Sequence, residues 1–271
     1  MDSQVIHFLL PVWLPAASFL AGALNTVAGG GSFLSLPALL QAMRSGGVGS
    51  VAAQATNNVA LWPGQLTSVI AYREDLGRHA RRLLPLSLAS LAGGLVGAWL
   101  LVITPSRRFL FLLPWLLLFA AVMFVLSEPL GRWLQGRRAG DLRQSGLGRS
   151  DFWLILGMVV VSVYVGYFGA GGGFLVMALF GLCGVTDLHE TNALKVVTAA
   201  VSIGIAVLVF VWSGKVVWSY CWLMAVLAAL GGYLAARVSK RLNQRLMRRL
   251  VAAVGFLTAG YFFWLAYGGK G

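Results

Sequence analysis

The chain has 271 residues, 59% apolar, 12% aromatic and only 11% charged, with a mean hydropathy of +0.81. Soluble domains carry about 25% charged residues, so this composition excludes a disordered chain, a coiled coil and an ordinary soluble enzyme domain, and fits an all-α polytopic membrane protein. A net charge of +13 would suggest nucleic acid in a soluble protein, but here the arginines sit in short loops between apolar runs, where they set membrane topology, and no nucleic-acid partner is expected.

The apolar runs, in chain order, are Val5–Ala28, Ser32–Met43, Val51–Tyr72, Leu83–Ile103, Phe109–Leu126, Phe152–Gly169, Phe174–Cys183, Thr191–Trp212, Val216–Ala236 and Leu246–Tyr267. Met1 to Leu14 contains no Lys or Arg, so the first run reads as a membrane segment rather than a cleavable signal. A helix rises 1.5 Å per residue and the hydrocarbon core is about 30 Å thick, so most runs are long enough to cross. Ser32–Met43 and Phe174–Cys183, at 10 to 12 residues, are not. Short helices at that depth must be buried in protein or line a cavity. Cys183 and Cys221 both fall in apolar runs and form no CxxC or metal-ligand spacing, so neither a redox framework nor a cofactor or metal is expected.

The two short runs occupy matching places in a repeat. Ala28-Gly29-Gly30-Gly31 answers Ala170-Gly171-Gly172-Gly173, Thr56-Asn57 answers Thr191-Asn192, and Gly93-Gly94 answers Gly231-Gly232, at offsets of 142, 135 and 138. Each half reads as a glycine-tipped helical hairpin with a short helix, followed by three transmembrane helices. The division is a first transmembrane repeat over 1–128, a basic cytoplasmic linker over 129–151 and a second transmembrane repeat over 152–271.

Loop charge then orients the halves. The loop around Arg78, the linker around Arg138 and the loop around Arg241 carry fifteen Lys or Arg in all, against five (Arg44, Arg107, Arg108, Lys215 and Lys270) on the opposite side. With the richer side cytoplasmic, and an odd number of crossings in each half, the halves run in opposite directions and both chain ends lie outside. This is the inverted-repeat architecture of many secondary transporters, whose sites lie near the midplane where broken helices meet. It leaves Arg107 and Arg108 outside.

The candidate substrate-binding residues follow from this plan. In the first tip, Asn25 leads into Gly29, Gly30, Gly31 and Ser32; glycines let the backbone approach another group closely, and the following helix start offers N–H donors to an anion. Gly171, Gly172 and Gly173 repeat the arrangement. Thr56 and Asn57 in one half, and Thr191, Asn192 and Lys195 in the other, are polar groups inside apolar helices and need partners. Each has a bland alternative: glycines as close-packing residues, Thr56 and Asn57 as interhelical glue, and Lys195 snorkelling to the interface. Asp187-Leu188-His189-Glu190 reads as a helix start resembling a capping box. All eight acids fall in loops or at run ends, which leaves no midplane carboxylate for a cation and favours a neutral or anionic cargo.

The motifs Gly22-x-x-Asn25 running into Ala28-Gly29-Gly30-Gly31-Ser32 with Leu36-Pro37, the echo Gly166-x-x-Gly169-Ala170-Gly171-Gly172-Gly173, and Thr56 and Thr191 in the following helices resemble the TauE/SafE group of sulfite exporters and related permeases. The resemblance spans about residues 15 to 265. It implies a bacterial inner-membrane permease, an exporter of sulfite, a sulfonate or a similar small organosulfur anion, working by alternating access at a midplane site between the repeats. The expected partners are the small anion and the lipid bilayer, with a homodimer compatible but not required. The rival readings are a non-transporting membrane assembly or receptor protein, and a permease for an unrelated small anion. An enzyme is disfavoured, since three scattered His and no buried acid supply no nucleophile–base pair or metal cluster.

Overall fold

The computed structural model describes residues 3–27, 30–44, 47–71, 80–138, 149–183, 188–238 and 244–268, and all regular elements among them are α-helices. They are α1 (Ser3–Val27), α2 (Ser32–Arg44), α3 (Ser50–Ala71), α4 (Ala80–Ile103), α5 (Ser106–Arg138), α6 (Arg149–Tyr167), α7 (Gly172–Leu182), α8 (Leu188–Trp212), α9 (Trp218–Val238) and α10 (Gln244–Tyr267). Each apolar run corresponds to one helix, because a backbone in hydrocarbon must satisfy its own polar groups.

Among the described residues, five stretches are long and apolar enough to cross a bilayer: Arg82–Ile103, Ser106–Leu126, Leu194–Trp212, Trp218–Ala235 and Arg249–Tyr267. Ser32–Met43, Phe152–Tyr167 and Gly172–Leu182 are apolar but shorter. Large apolar side chains stand exposed along these helices, among them Val160, Leu208, Trp222, Leu257 and Trp264. In water such a surface would drive association, whereas against lipid it is the ordinary solvent-facing surface. The protein is a polytopic membrane protein.

One helix outruns its apolar run. α5 continues past Leu126 to Arg138, so the first part of segment 129–151 is helical, and α6 already begins at Arg149. Residues 139–148 lie outside the described residues.

The chain forms two compact units. The first comprises Met1–Gly64, Leu101–Ala121 and Phe210–Gly271; the second comprises Gln65–Leu100 and Val122–Val209. Each unit therefore draws on both sequence halves. In the first, α1 lies along α9 and packs on α2, and α2 meets α10. The α1–α9 approach is so close that a Cβ on Gly22 would overlap the carbonyl of Ala228, and one on Gly231 the carbonyl of Phe19. In the second, a Cβ on Gly93 would overlap the carbonyl of Val159, and one on Gly97 that of Val163. These contacts advance together along both chains, so α4 and α6 run parallel. α8 joins them through Ser202, whose Oγ donates to the Ser90 carbonyl at 3.2 Å. Leu86, Met158, Val176, Phe180 and Leu194 form the apolar core of this unit.

Candidate functional site

In the first unit the site is built at the turn between α1 and α2. Ala28 and Gly29 lie outside the described residues. Gly30 has φ +93°, a left-handed conformation that only glycine takes without strain, and it turns the chain into α2. The Gly30 and Gly31 carbonyls accept the N–H groups of Phe33 and Leu34, each at 3.0 Å. Ser35 N–H donates to the Gly31 carbonyl as well, at 3.1 Å, so three of the first-turn donors expected to be open to an anion are spent in closing the turn. A Cβ on Gly31 would overlap the Ala21 carbonyl and stand 3.1 Å from Asn25 Cβ, so Asn25 lies directly beside the tip. Ser32 opens α2 and is half-buried.

The polar anchor of this turn is Ser35. Its Oγ donates to Asn57 Oδ1 of α3 at 2.6 Å and lies 3.3 Å from the Gly31 carbonyl. Asn57 is 0% exposed, and its Nδ2 has no hydrogen-bond partner. An amide held by one end and open at the other is a donor waiting for an acceptor, since leaving it unpaired costs about 1–3 kcal/mol. Gln54 Nε2 donates to Asn58 Oδ1 at 3.1 Å, one turn apart on the same helix, and the buried Asn58 Nδ2 also has no partner. Thr56 Oγ1 accepts from the Val217 N–H at 3.0 Å and ties down the start of α9, with the hydroxyl proton still to be donated.

The second unit repeats the turn between α6 and α7. Gly169 and Gly171 have φ +80° and +74°. The Gly171 carbonyl accepts from Phe174 at 3.0 Å and from Leu175 at 3.4 Å, and Gly172 N–H donates to Gly169 at 3.3 Å. Gly171 and Phe174 thus play the parts of Gly30 and Phe33 at an offset of 141, one less than the Ala-Gly-Gly-Gly motif indicates. Tyr164 Oη donates to the Ala170 carbonyl at 3.0 Å and braces the tip.

Lys195 lies on α8, seven residues after the helix begins at Leu188. Its stem lies against Gly173: a Cβ there would stand 3.7 Å from Lys195 Cδ, an ordinary contact distance. Lys195 Nζ lies 3.7 Å from Met177 Sδ, so the side chain reaches across the first turns of α7. Thr191 is buried on the same helix. The Asn192, His189 and Glu190 side chains, and Asp187 as a whole, lie outside the described residues, and the capping box with them. Among the described residues no Asp, Glu, His, Lys or Arg side chain is fully buried.

The structure therefore brings Asn25, Gly30, Gly31 and Asn57 together in one unit, and Gly171, Gly172, Gly173 and Lys195 in the other, while Thr56 Oγ1 accepts from the Val217 N–H. Ser35 is the residue that the sequence reading missed. Its only signal is a hydroxyl between Leu34 and Leu36 in a run of hydrocarbon character.

A family model described as "Sulfite exporter TauE/SafE" matches residues 14–262. The chain is 28% identical over 236 residues to "Probable membrane transporter protein ORF9" of Sinorhizobium sp., covering 87% of this chain and 84% of that protein. It is 29% identical over 239 residues to "Probable membrane transporter protein YfcA" of Escherichia coli K12, covering 88% and 83%. It is 23% identical over 243 residues to a "Probable membrane transporter protein" of Haemophilus influenzae, covering 88% and 89%. No solved structure matches.

Proposed function

Because the chain belongs to the sulfite exporter TauE/SafE family, and so is a multi-pass membrane transporter rather than an enzyme, we propose that it is a secondary transporter that exports a small organosulfur anion, sulfite or a sulfonate, across a bacterial inner membrane. The observation that carries this reading is the fully buried Asn57 amide, whose Nδ2 stands unpartnered beside the first turn of α2. An anion oxygen would complete it. Asn25, Gly30, Gly31 and Ser32 border the same turn, with Gly29 preceding it in the chain. In the other unit, Lys195 with Gly171 to Gly173, Thr191 and Asn192 are the substrate residues proposed for the second tip, and Thr56 beside Asn57 for the first. The two sequence repeats run in opposite directions and rock to give alternating access, as in other transporters built on broken helices.

Thermal unfolding of the purified protein with sulfite, thiosulfate, sulfate, taurine and sulfoacetate tests the reading. A ligand that binds only the folded state at 100 times its Kd stabilises by about 2.7 kcal/mol. A shift selective for a sulfur anion, lost in Asn57→Ala and Lys195→Ala, is expected. No shift with any of these anions would overturn the assignment of cargo.

A further inference from the structure

α9 has two unlike faces. Met224, Ala228 and Gly231 are buried on one, and the last two lie against α1. On the opposite face Trp218, Trp222, Val226, Leu230, Tyr233 and Arg237 are all exposed, at spacings of three and four residues that keep them on one side of the helix. At 1.5 Å per residue, Trp218 to Arg237 spans about 28 Å, close to the thickness of the hydrocarbon core. Trp218 and Trp222 stack at one end with ring centroids 5.8 Å apart, as aromatic side chains do at a membrane surface. Arg237 then marks the other surface.

At that surface two side chains converge. A helical side chain leans toward the N-terminus, and Arg237 accordingly folds back over the preceding turn. Its guanidinium carbon stands 4.4 Å from the centre of the Tyr233 ring, and Nη2 donates to Tyr233 Oη. The stacking holds the charge at the edge of the hydrocarbon rather than out in water. A guanidinium has five N–H donors, of which one goes to the tyrosine, and the phenol keeps its own proton to give. A planar fork beside a hydroxyl is a donor set that suits a phosphate. Arg249, near the start of α10, is exposed as well. Between the two arginines the sequence holds Lys240, Arg241, Arg245 and Arg248 and no acid. A second copy applied to this face by a two-fold axis along the membrane normal would set Arg237 against Arg237, so charge favours a lipid over a dimer partner.

We propose that Arg237 and Tyr233 form a binding site for an anionic phospholipid, its phosphate on the guanidinium and phenol and an acyl chain along Leu230 and Val226. One leaflet is about 15 Å of hydrocarbon, which reaches from Tyr233 to the level of Trp222. A zwitterionic headgroup is the poorer ligand, because it brings its own ammonium into a region already rich in cations. The site is separate from the glycine tips and does not depend on the identity of the cargo.

Thermal unfolding and native mass spectrometry of the purified full-length protein in uncharged detergent test this, with phosphatidylglycerol set against phosphatidylcholine of the same acyl chains. Phosphatidylglycerol should raise the melting temperature more, and should stay bound at collision energies that strip phosphatidylcholine. Arg237→Gln should weaken phosphatidylglycerol binding about fivefold, the share of one basic side chain near an anionic surface. Tyr233→Phe keeps the ring without the hydroxyl and should fall between. Lys215→Gln removes the same charge beyond the far end of the face and should leave binding unchanged. If Arg237→Gln does not fold, the wild-type comparison and Tyr233→Phe still decide. Equal retention of the two lipids, or a phosphatidylglycerol effect untouched by Arg237→Gln, would overturn the site. So would a dimer mass free of bound lipid, the mark of a face closed by a second copy.

Discussion

Removing the Ser35 hydroxyl strips Asn57 Oδ1 of its donor in a position closed to water. Ser35→Ala should cost about 1–3 kcal/mol, the penalty of an unsatisfied buried group, and should also loosen the amide that faces the tip. Thermal unfolding should drop and anion affinity should fall together. A stability loss with unchanged affinity would separate Asn57 from binding. Thr56 calls for a different variant. Thr56→Val keeps the shape but removes the acceptor for the Val217 N–H, so about 1 kcal/mol of stability should go, while Thr56→Ser should restore it. Transport normalised to folded protein should fall in Thr56→Val alone, where the hydroxyl is gone, and its survival in both would leave Thr56 to the Val217 backbone. Asn57 and Thr56 were legible in the sequence because amides and hydroxyls are out of place in hydrocarbon. Their partners were not. A serine in an apolar helix ordinarily bonds the carbonyl one turn back, as Ser18 does to Leu14 at 2.7 Å, and nothing in the chain distinguishes Ser35 from Ser18.

Helix pairing turns on a few glycines whose missing side chains are occupied by another helix's backbone. Gly22→Ala and Gly231→Ala each place a methyl group into a carbonyl across the α1–α9 contact, and Gly97→Ala does the same between α4 and α6. Neither a backbone carbonyl nor a lipid-embedded helix yields easily, so each should destabilise by about 1–3 kcal/mol. Gly260→Ala in α10 is the control, since its Cβ meets nothing within 4 Å. It should be neutral or stabilising by up to about 1 kcal/mol, the ordinary helix preference for alanine. Melting temperatures of the four variants in one detergent would check the order. The sequence marks Gly93 and Gly97 as a packing face and echoes Gly93 at Gly231, but spacing cannot say which helix meets which. The same limit hid the end of α5. Hydropathy falls away after Leu126, but arginine is a good helix former, so low hydropathy does not end a helix.

Topology joins these elements to function, because an exporter's two faces must be told apart. The charge count puts fifteen Lys or Arg on one side and five on the other, with Arg107 and Arg108 on the poorer side. The parallel run of α4 and α6 bears on that pair independently of charge. Their N-terminal ends, near Arg82 and Arg149, share one end of the unit, so the chain leaving α4 at Ile103 must return before α6 begins. α5 has 33 residues and is about 50 Å long at 1.5 Å per residue, enough to make that return in one crossing. The end of α4 and the start of α6 therefore lie on opposite sides, and Arg107 and Arg143, which follow and precede them in the chain, are expected to do the same, whichever side is cytoplasmic. In a Cys183→Ser/Cys221→Ser background, a membrane-impermeant thiol reagent added to intact cells should label Arg107→Cys, Lys215→Cys and Lys270→Cys. Arg78→Cys and Arg143→Cys should react only after the membrane is opened. Labelling of Arg107→Cys and Arg143→Cys from the same side would contradict the single crossing of α5. Labelling of Lys270→Cys only after opening would give the second half an even number of crossings, and the two halves would then no longer be inverted copies of one another.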